Sequence, residues 1–531
     1  MKAPNTFFRV IISLLLILWL SSHKTSASNP LEEFQHCLLC ASSESQSPVT
    51  NHDIIYTAAN SSFLSILQSS IKNTRFNTSN TPKPLIIATP REEFEVQYII
   101  NCAKELGLRV RVRSGGHDYE GLSYTTRSNN DPFLVIDLIN FKNITIDVFR
   151  KTAWVGSGST VGELYYSISQ KSRTLGFPAG VCHSIGIGGH ISGGGYGTLL
   201  RKYGLAADNV IDARLVDANG TILDRKSMGE DLFWAIRGGG GNTFGIVLSW
   251  KVQLVDVPEN VTVFNVGRTL EQNATNLVHK WQSVAPKLPK ELFIRVIALG
   301  TSNSTLALFQ SLFLGPIDKL LPILGESFPE LGVTRQDLTE MRWIDSTLYF
   351  DGIQNVTDYK ALFNTIPNKG KPYFFKAKSD YVKEPMSIEG LEGVWRFLGE
   401  DRAGLIILSP YGGRMDEISE SAIPFPHRAG NLYKILYLVS WGEDGDDASE
   451  MHIGWIRRLY NYTTPFVSKS PREAYINYRD LDIGLDEMGR NNFEWGSKYF
   501  KNNFNQLAMV KTRVDPENFF RNEQSVPVLV E

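Results

Sequence analysis

The sequence predicts an α+β fold with more than one domain, and three observations support this prediction. About 500 residues follow the N-terminal leader described below, which exceeds the range in which one hydrophobic core keeps growing. The first third of the chain alternates helical and strand patterns separated by glycine-rich turns. From about residue 260 to 440 the elements become longer and contain fewer glycines, which indicates a second unit built around a larger sheet.

The elements of the first unit follow from apolar spacing and from the positions of glycine and proline. Apolar side chains recur at helical spacing over residues 52–72. Two prolines bound the apolar strand 84–90, and the amphipathic helix predicted over 92–107 ends at a glycine. We also predict strands at 108–112, 133–138 and 152–155 and a helix at 161–172.

In the second unit, residues 293–298, 405–409 and 434–441 are predicted strands of the larger sheet. The chain closes with a helix, the polar turn 514–518 and an aromatic anchor at 519–520. The predicted organisation is a leader, an N-terminal segment, a first unit, a second unit and a C-terminal return to the first unit, at residues 1–27, 28–79, 80–256, 257–469 and 470–531.

Residues 1–27 have the pattern of a secretory signal peptide. Lys2 and Arg9 precede the apolar run 10–20, and small polar residues follow as far as Ala27. The apolar run is shorter than the roughly 20 residues that span a bilayer, and no later segment is long and apolar enough. The sequence therefore predicts a soluble protein that is secreted to the extracellular space or the cell wall, without a membrane partner.

Asn-x-Ser/Thr sequons support the same location, since their density in an exported chain indicates glycosylation. They occur at Asn60, Asn77, Asn143, Asn219, Asn260, Asn273, Asn303, Asn355 and Asn461. The charge is nearly balanced, with 54 basic and 56 acidic residues and no basic block, so we expect no nucleic-acid partner.

The four cysteines are Cys37, Cys40, Cys102 and Cys182. In an oxidising compartment they predict disulfides, here a bridge from the N-terminal segment to Cys102. The Cys37–Cys40 spacing also occurs in zinc sites, but no second pair or histidine cluster completes one, and we predict no metal. Cys182 lies in a glycine-rich stretch, which indicates a different role.

Four segments carry the residues expected to act in chemistry. Arg113-Ser-Gly-Gly-His-Asp118 follows a strand, and its glycines can expose backbone N–H groups to a pyrophosphate. It matches neither the G-x-G-x-x-G fingerprint nor a Walker A loop, so NAD and ATP are not indicated. Its alternative interpretation is an ordinary turn.

The second segment, residues 176–197, combines many glycines with Val181, Ile185, Ile187 and Ile191. A flexible linker would not carry this apolar content, so we predict ordered backbone pressed against a planar ligand. The third and fourth segments are 237–247 and 475–480.

Together these segments resemble the berberine bridge enzyme-like group of plant flavoproteins, within the vanillyl-alcohol oxidase superfamily. The run 176–197 is the most specific part, and Asn477-Tyr-Arg-Asp480 and the closing residues 515–524 match as well. The resemblance covers essentially the whole mature chain. It implies an FAD-binding domain of the vanillyl-alcohol oxidase (PCMH) type over 80–256, and a substrate domain with a large antiparallel sheet over 257–469.

The resemblance also implies how the cofactor is held. FAD would be attached bicovalently, with His117 bonded to the 8α-methyl group and Cys182 to C6 of the isoalloxazine. Cys37 would bridge to Cys102, leaving Cys40 outside that disulfide. The other residues expected to contact FAD are Ser114, Gly115, Gly116, Asp118, Gly188, Gly189, His190, Gly193, Gly194, Gly245, Ile246, Val247 and Asn477.

For catalysis the resemblance implies a tyrosine base. A free tyrosine, with a pKa of about 10, needs a nearby cation to act as a base at neutral pH. Tyr196 would be that base, Lys434 the cation, and Tyr478 and Tyr119 would complete the site. The alternative interpretations are a buried core residue for each tyrosine and a solvated surface charge for Lys434.

Two positions bear on the expected substrate contact and on the expected reaction of the flavin with oxygen. Alcohol-oxidising members often have glutamine where this chain has Leu436, which places a polar substrate contact in doubt. Ile185 occupies the position that gates oxygen in the family. Isoleucine favours a dehydrogenase with slow oxygen turnover.

The predicted activity is oxidation of an alcohol by hydride transfer to flavin N5, with an external acceptor or oxygen taking the electrons. The substrate is either a monolignol-type aromatic alcohol or a sugar or oligosaccharide. The protein is predicted to be a monomer. Oxidative cyclisation of a specialised metabolite and a non-catalytic flavin-carrying defence protein are the alternatives.

Overall fold

The computed structural model describes residues 29–43, 54–127, 131–302, 304–365, 372–485 and 494–529. The predicted signal peptide and the sequon at Asn303 lie outside these residues. Among the described residues, no helix combines the length and the apolar character needed to cross a bilayer.

The strands of the described chain fall into four sheets. They are β1 Ile55–Tyr56, β2 Ile86–Ala88, β3 Arg109–Arg113, β4 Phe133–Asp137, β5 Ile144–Asp147, β6 Thr152–Gly156, β7 Leu175–Gly176, β8 Val210–Val216, β9 Ile222–Leu223, β10 Ile246–Gln253, β11 Val255–Asp256, β12 Asn260–Thr269, β13 Leu292–Gly300, β14 Thr305–Phe313, β15 Thr339–Arg342, β16 Phe374–Val382, β17 Leu405–Pro410 and β18 Tyr433–Trp441.

The helices connect and cover these sheets. They are α1 Pro30–Ser43, α2 Phe63–Gln68, α3 Glu93–Glu105, α4 Val161–Ser169, α5 Ile187–Ser192, α6 Leu200–Tyr203, α7 Arg225–Ile236, α8 Ala274–Val284, α9 Ile317–Ser327, α10 Trp343–Phe350, α11 Ile388–Leu398, α12 Arg414–Glu417, α13 Asp446–Tyr462, α14 Glu494–Phe500 and α15 Asn503–Val514. This architecture confirms the predicted α+β class.

The first unit contains a small sheet in the order β1-β2-β4-β3, in which β2, β4 and β3 are parallel. Helix α3 connects β2 to β3, as the sequence predicts. It begins with a capping box between Glu92 and Glu95, and Gly107 follows its end at φ +66°. The Cys37–Cys102 disulfide joins α1 to α3.

The rest of the first unit is an antiparallel sheet in the order β5-β6-β10-β8-β9. Residues alternate between buried and half-buried along β10, which is the period-2 pattern of a strand with one face in the core. The glycine-rich segment 176–197 connects β7 to α6 and packs against this sheet through α5.

The second unit is an antiparallel sheet of seven strands in the order β15-β12-β14-β13-β17-β18-β16. Helices α8, α9, α11 and α13 cover one face and share its core. The other face packs against the first unit, where Val261, Leu312 and Tyr381 belong to a core that also contains Val155 and Phe177. Two walls of one site can therefore come from different units.

The C-terminal segment returns to the first unit. Leu507 and Ala508 of α15 lie in the same core as α7. Helix α15 is followed by a turn in which Asp515 accepts hydrogen bonds from the backbone of Phe519 and Phe520, and both rings enter the core of the small sheet.

The sequence prediction for 52–72 was wrong in part. The described part of this region contains β1 and the six-residue helix α2 instead of one long helix. Asn60 Oδ1 accepts a hydrogen bond from the Thr57 backbone at 2.8 Å, so a side chain forms a turn there. Residues before it pair with β2, a contact that local apolar spacing does not reveal.

Candidate functional site

A cavity of about 350 Å³ lies between the first unit and the seven-stranded sheet. This volume is in the range of small-molecule sites, ~300–1,000 Å³. The lining comes from all four segments selected by the sequence analysis and from β13, β17 and β18. Among the predicted residues it includes Ser114, Gly115, Gly116, His117, Asp118, Tyr119, Cys182, Ile185, Gly188, Gly189, His190, Tyr196, Gly245, Ile246, Val247, Asn477 and Tyr478.

Close backbone packing explains the paired glycines of the first segment. A Cβ on Gly115 would lie 2.3 Å from the backbone nitrogen of Gly186, and a Cβ on Gly186 would lie 2.2 Å from that of Gly115. Gly116 adopts φ +70° with the carbonyl oxygen of Ser70 against it. The two glycine-rich segments therefore touch through their backbones, as no other residue type would permit.

Gly189 has a different environment, because a Cβ there would meet no protein atom within 4 Å. It lines the open space of the cavity, so a flat ligand can approach the backbone closely. Gly193 and Gly194 do not line the cavity in the described structure. A Cβ on Gly193 would lie 2.0 Å from Asn477 Oδ1, and Gly194 adopts φ +115° beside Phe425.

His117 and Cys182 lie on either side of one hydroxyl group. Ser184 Oγ is 2.9 Å from His117 Nε2 and 3.5 Å from Cys182 Sγ. Burial, together with the nearby charge of Lys72, lowers the pKa of His117 to about 3, so its ring is a neutral nucleophile. Burial raises the pKa of the Cys182 thiol, and Asp351 adds to this shift, whereas Lys72 opposes it.

The cavity wall fits a flavin. Two nucleophilic side chains, His117 and Cys182, line it, and the backbone at Gly189 leaves room for a planar ring system. Three buried polar atoms of the lining have no hydrogen-bond partner among the described residues: Ser123 Oγ, Asn242 Oδ1 and Arg479 Nη1. Buried polar groups are normally satisfied, so these atoms indicate a polar ligand at this wall.

Several predicted cofactor residues also hold the loops together. Asp118 accepts hydrogen bonds from the backbone of Glu120 and Leu122 and from Arg479 Nε at 3.0 Å. His190 Nε2 accepts one from the backbone of Gly180. Asn477 donates to the carbonyl oxygen of His190 at 2.9 Å, which joins the C-terminal segment to α5.

The predicted catalytic tyrosines form one cluster. The hydroxyl groups of Tyr196 and Tyr478 are 2.5 Å apart. Tyr119 stacks on Tyr478 with ring centres 5.5 Å apart and an interplanar angle of 8°. Tyr475, which the prediction did not assign, accepts a hydrogen bond from Gly195 N and packs edge-on against Tyr196.

Lys434 is buried on β18, with 1% of its surface exposed, so it is not a surface charge. Its Nζ lies 3.3 Å from the ring centre of Tyr196, 3.9 Å from that of Tyr475 and 4.9 Å from that of Tyr478. Burial lowers the pKa of Lys434 well below its usual value. The three ring faces oppose this shift, because cation–π attraction favours the charged amine.

The electrostatics of Tyr196 combine opposing effects. Burial raises the pKa of Tyr196, while hydrogen bonds from Tyr478 and Ser409 and the charge of Arg295 lower it. Arg295 lies on β13, lines the cavity and is held by Gln310, with Nε 2.8 Å from Gln310 Oε1. Sequence reasoning missed this second cation, because an isolated arginine in a strand gives no signal of what it faces.

The strands arrange polar and apolar residues in separate rows. Ser409 pairs with Lys434 across β17 and β18, and the cavity-lining Arg295 lies on the next strand. Two residues along, Ile407 pairs with Leu436, and both line the cavity. The cavity therefore has a polar row, whose Ser409 and Arg295 act on Tyr196, next to an apolar row.

The chain is similar to known proteins over nearly its whole length. Residues 84–225 match the family described as FAD binding domain, and residues 474–527 match the family described as berberine and berberine like. "Monolignol oxidoreductase AtBBE-like 13" of Arabidopsis thaliana is 48% identical, over 97% of this chain and 97% of its own. "Tetrahydroberberine oxidase" of Berberis wilsoniae is 50% identical, over 95% of this chain and 96% of its own.

Among solved structures, Phl p 4 superposes with a TM-score of 0.88 at 43% identity, over 94% of this chain and 100% of its own. It is described as a grass pollen allergen with glucose dehydrogenase activity, and a variant with one isoleucine replaced by valine as a glucose oxidase. The likeness extends over both units, so it includes the FAD-binding fold predicted from the resemblance.

Proposed function

Since this chain belongs to the berberine bridge enzyme-like family of FAD-dependent oxidoreductases, we propose that it oxidises an alcohol with a flavin attached through both His117 and Cys182. The observation that carries this proposal is the cluster in which Tyr196 and Tyr478 line the cavity and the buried amine of Lys434 lies on the ring of Tyr196. A tyrosine pair beside a buried amine is suited to removing a proton from a substrate hydroxyl group.

The attachment proposal rests on the nucleophiles and their surroundings. His117 is neutral because its pKa is lowered, and a neutral ring nitrogen is the form that attacks carbon. Cys182 Sγ lies 3.5 Å from the hydroxyl group of Ser184, which also contacts His117, so both nucleophiles lie in one part of the cavity wall. We expect the flavin to stay on the denatured protein and to be lost fully only when both residues are replaced by alanine.

In the proposed reaction Tyr196 acts as a phenolate and accepts the proton of the substrate hydroxyl group. The short hydrogen bond to Tyr478 stabilises Tyr196 as the phenolate before the transfer and as the phenol after it. A bound FAD would supply the acceptor for the hydride of the carbinol carbon. Lys434 favours the ionised form of Tyr196 by its charge, and Arg295 orients a substrate oxygen from the neighbouring strand.

The lining favours an alcohol on an apolar body. Ile407 and Leu436 line the cavity on one side of the polar row and Phe293 on the other side, whereas a sugar requires hydrogen-bond partners along its length. We therefore propose an aromatic, monolignol-type alcohol in preference to an oligosaccharide. The polar row of Arg295 and Ser409 is the feature that would suit a sugar ring, as in the relative with glucose dehydrogenase activity.

Anaerobic bleaching of the flavin absorbance tests the proposal, with cinnamyl alcohols and oligosaccharides as substrates. Rapid bleaching by the first class supports the aromatic alcohol, and bleaching by the second class alone would replace it with carbohydrate oxidation. Absence of bleaching by either would favour a non-catalytic flavoprotein.

The base is tested by Tyr196→Phe, which keeps the ring and removes the hydroxyl group. We expect flavin reduction to slow by ~10²–10⁴-fold while FAD stays attached, as for loss of a general base. The matched control is Tyr433→Phe, because Tyr433 is buried beside Lys434 but its hydroxyl group donates to Gln282 on the opposite face. Fast reduction in the Tyr196 variant would assign the base elsewhere.

A secreted, glycosylated monomer completes the proposal. The disulfide between Cys37 and Cys102 is suited to an oxidising compartment. All the described sequon asparagines are exposed, which makes them accessible to glycan attachment: Asn60, Asn77, Asn143, Asn219, Asn260, Asn273, Asn355 and Asn461.

A further inference from the structure

Tyr119, Tyr196 and Tyr478 line one side of the cavity, which we call the tyrosine wall. Five charged side chains lie close together behind it, and we call them the charge cluster: Glu120, Lys376, Lys378, Asp480 and Asp482. Lys376 bonds to Glu120 and, at 2.7 Å, to Asp480. Lys378 bonds to Asp480 at 2.6 Å and to Asp482 at 2.9 Å. The first four side chains are at most 5% exposed, so the ion pairs are shielded from water.

The cluster connects three segments that are distant in sequence. Glu120 belongs to the loop after the first glycine segment, Lys376 and Lys378 to β16, and Asp480 to the C-terminal segment. β16 is the edge strand of the seven-stranded sheet. The charge cluster therefore links the loop of Glu120 and the C-terminal segment to one edge of the sheet of the second unit.

Each segment also contributes an aromatic residue to the tyrosine wall. Tyr119 precedes Glu120, Phe375 precedes Lys376, and Tyr478 lies two residues before Asp480. Tyr119 stacks on Tyr478, and Phe375 packs edge-on against Tyr119 with ring centres 5.1 Å apart. The wall and the cluster are thus built from the same three pieces of chain.

The geometry of β16 separates the two groups. Successive strand residues point to opposite faces, so Phe375 faces Tyr119 while Lys376 and Lys378 face away from it. Lys378 Nζ lies 4.7 Å from the ring centre of Tyr460 in α13, on the helix-covered side of the sheet. The ionic contacts therefore hold the wall from behind and leave its cavity surface free for a substrate.

We propose that the charge cluster positions Tyr119 and Tyr478, and through Tyr478 sets the hydrogen bond to the base Tyr196. This inference rests on the proposed function, because it assigns the cluster a role in that reaction. None of its residues lines the cavity, so they are positioning residues.

The alternative is that the cluster only joins the two units. Buried ion pairs are costly to desolvate, and removal of one partner leaves an unpaired buried charge in either case. Loss of stability therefore does not separate the two roles. The position of Tyr478 and the pH dependence of the base separate the two roles, because loss of a purely structural contact would change neither of them.

The decisive variant is Asp480→Asn, which weakens the bonds to both lysines. If Tyr478 moves, Tyr196 loses a hydrogen bond that lowers its pKa. We expect the pH profile of flavin reduction to shift upward and the rate at neutral pH to fall about tenfold, the equivalent of one pKa unit. Crystals of the variant should show the Tyr196 and Tyr478 hydroxyl groups beyond hydrogen-bond distance.

The matched control is Asp515→Asn, which breaks an equally buried ion pair, with Lys511, away from the tyrosines. It should lower stability without shifting the pH profile. If Asp480→Asn does not fold, Glu120→Gln replaces it, since it weakens one bond of the same cluster and should displace Tyr119 and raise KM more than it lowers kcat.

An unchanged pH profile and unmoved tyrosines in the cluster variants would overturn the positioning role. If no alcohol bleaches the wild-type flavin, that result contradicts the proposed function and not the positioning role. In that case the tyrosine positions in the variant crystals still decide whether the cluster positions the wall.

Discussion

At the scale of single residues, Lys434 shows how burial and aromatic neighbours act on one charge in opposite directions. Burial lowers its pKa, whereas the three tyrosine faces favour the ammonium form by about 0.5–2 kcal/mol each. The proposed mechanism requires the charged form while Tyr196 accepts a proton. The outcome of this competition can be measured.

We predict that Lys434→Met raises the apparent pKa of the step that reduces the flavin. Since the base acts deprotonated and a nearby cation favours the phenolate, removal of the cation shifts the rising limb of the profile to higher pH. A shift of about one unit slows reduction near tenfold at neutral pH. Stopped-flow bleaching across pH measures it, and an unchanged midpoint would show that the amine is neutral.

Ile185 is a second residue whose size can be tested. It lines the cavity three positions after Cys182. We predict that Ile185→Val speeds reoxidation of the flavin by oxygen, about tenfold or ~1.4 kcal/mol in barrier, because a methyl group is removed from the path of oxygen. A variant of Phl p 4 with one isoleucine replaced by valine is described as a glucose oxidase. Equal reoxidation rates of the variant and the wild type in air-saturated buffer would contradict the assignment of Ile185 as an oxygen gate.

At the scale of elements, the disulfide fastens α1 to α3. The joined cysteines are 65 positions apart, so the bridge restricts a long loop of the unfolded chain. We predict that Cys37→Ala destabilises the protein by about 2–5 kcal/mol, measured by denaturant unfolding. Cys40→Ala, at an exposed position of the same helix, should leave stability nearly unchanged, and an equal loss in both variants would contradict the prediction.

Elements also show what local patterns can and cannot predict. Helix α3 and the strands β13, β17 and β18 agree with their predictions within a few residues, because each has several buried apolar side chains at a regular spacing. The region 52–72 does not, because a side-chain turn at Asn60 and pairing with β2 override its helical spacing.

At the scale of the whole molecule, the exposed sequons predict a glycoprotein. Glycans need an accessible asparagine, and every described sequon asparagine is exposed on the surface. We predict that protein from a secretory host loses mass on enzymatic deglycosylation and remains a monomer by light scattering. Replacement of each asparagine by glutamine would identify the occupied positions, and an unchanged mass after deglycosylation would refute glycosylation.

The catalytic assembly also belongs to this scale, because its parts come from both units and the C-terminal segment. Tyr196, Lys434 and Tyr478 were candidates from the resemblance, and the structure brings them into contact. Arg295 and Ser409 were not predicted, since nothing local distinguishes them from ordinary strand residues, and Tyr475 lies in a selected segment but was assigned no role.

By itself the sequence determined the α+β class and the glycine-rich segments, because each depends on local spacing or on residues that alone permit a backbone conformation. The candidate nucleophiles came from the resemblance to a known family. Only the tertiary structure decided that Lys434 lies on tyrosine faces, that Gly193 packs against Asn477, and that the charge cluster lies behind Tyr119 and Tyr478. Those contacts join residues far apart in sequence, so their energies depend on how whole units pack and not on any local pattern.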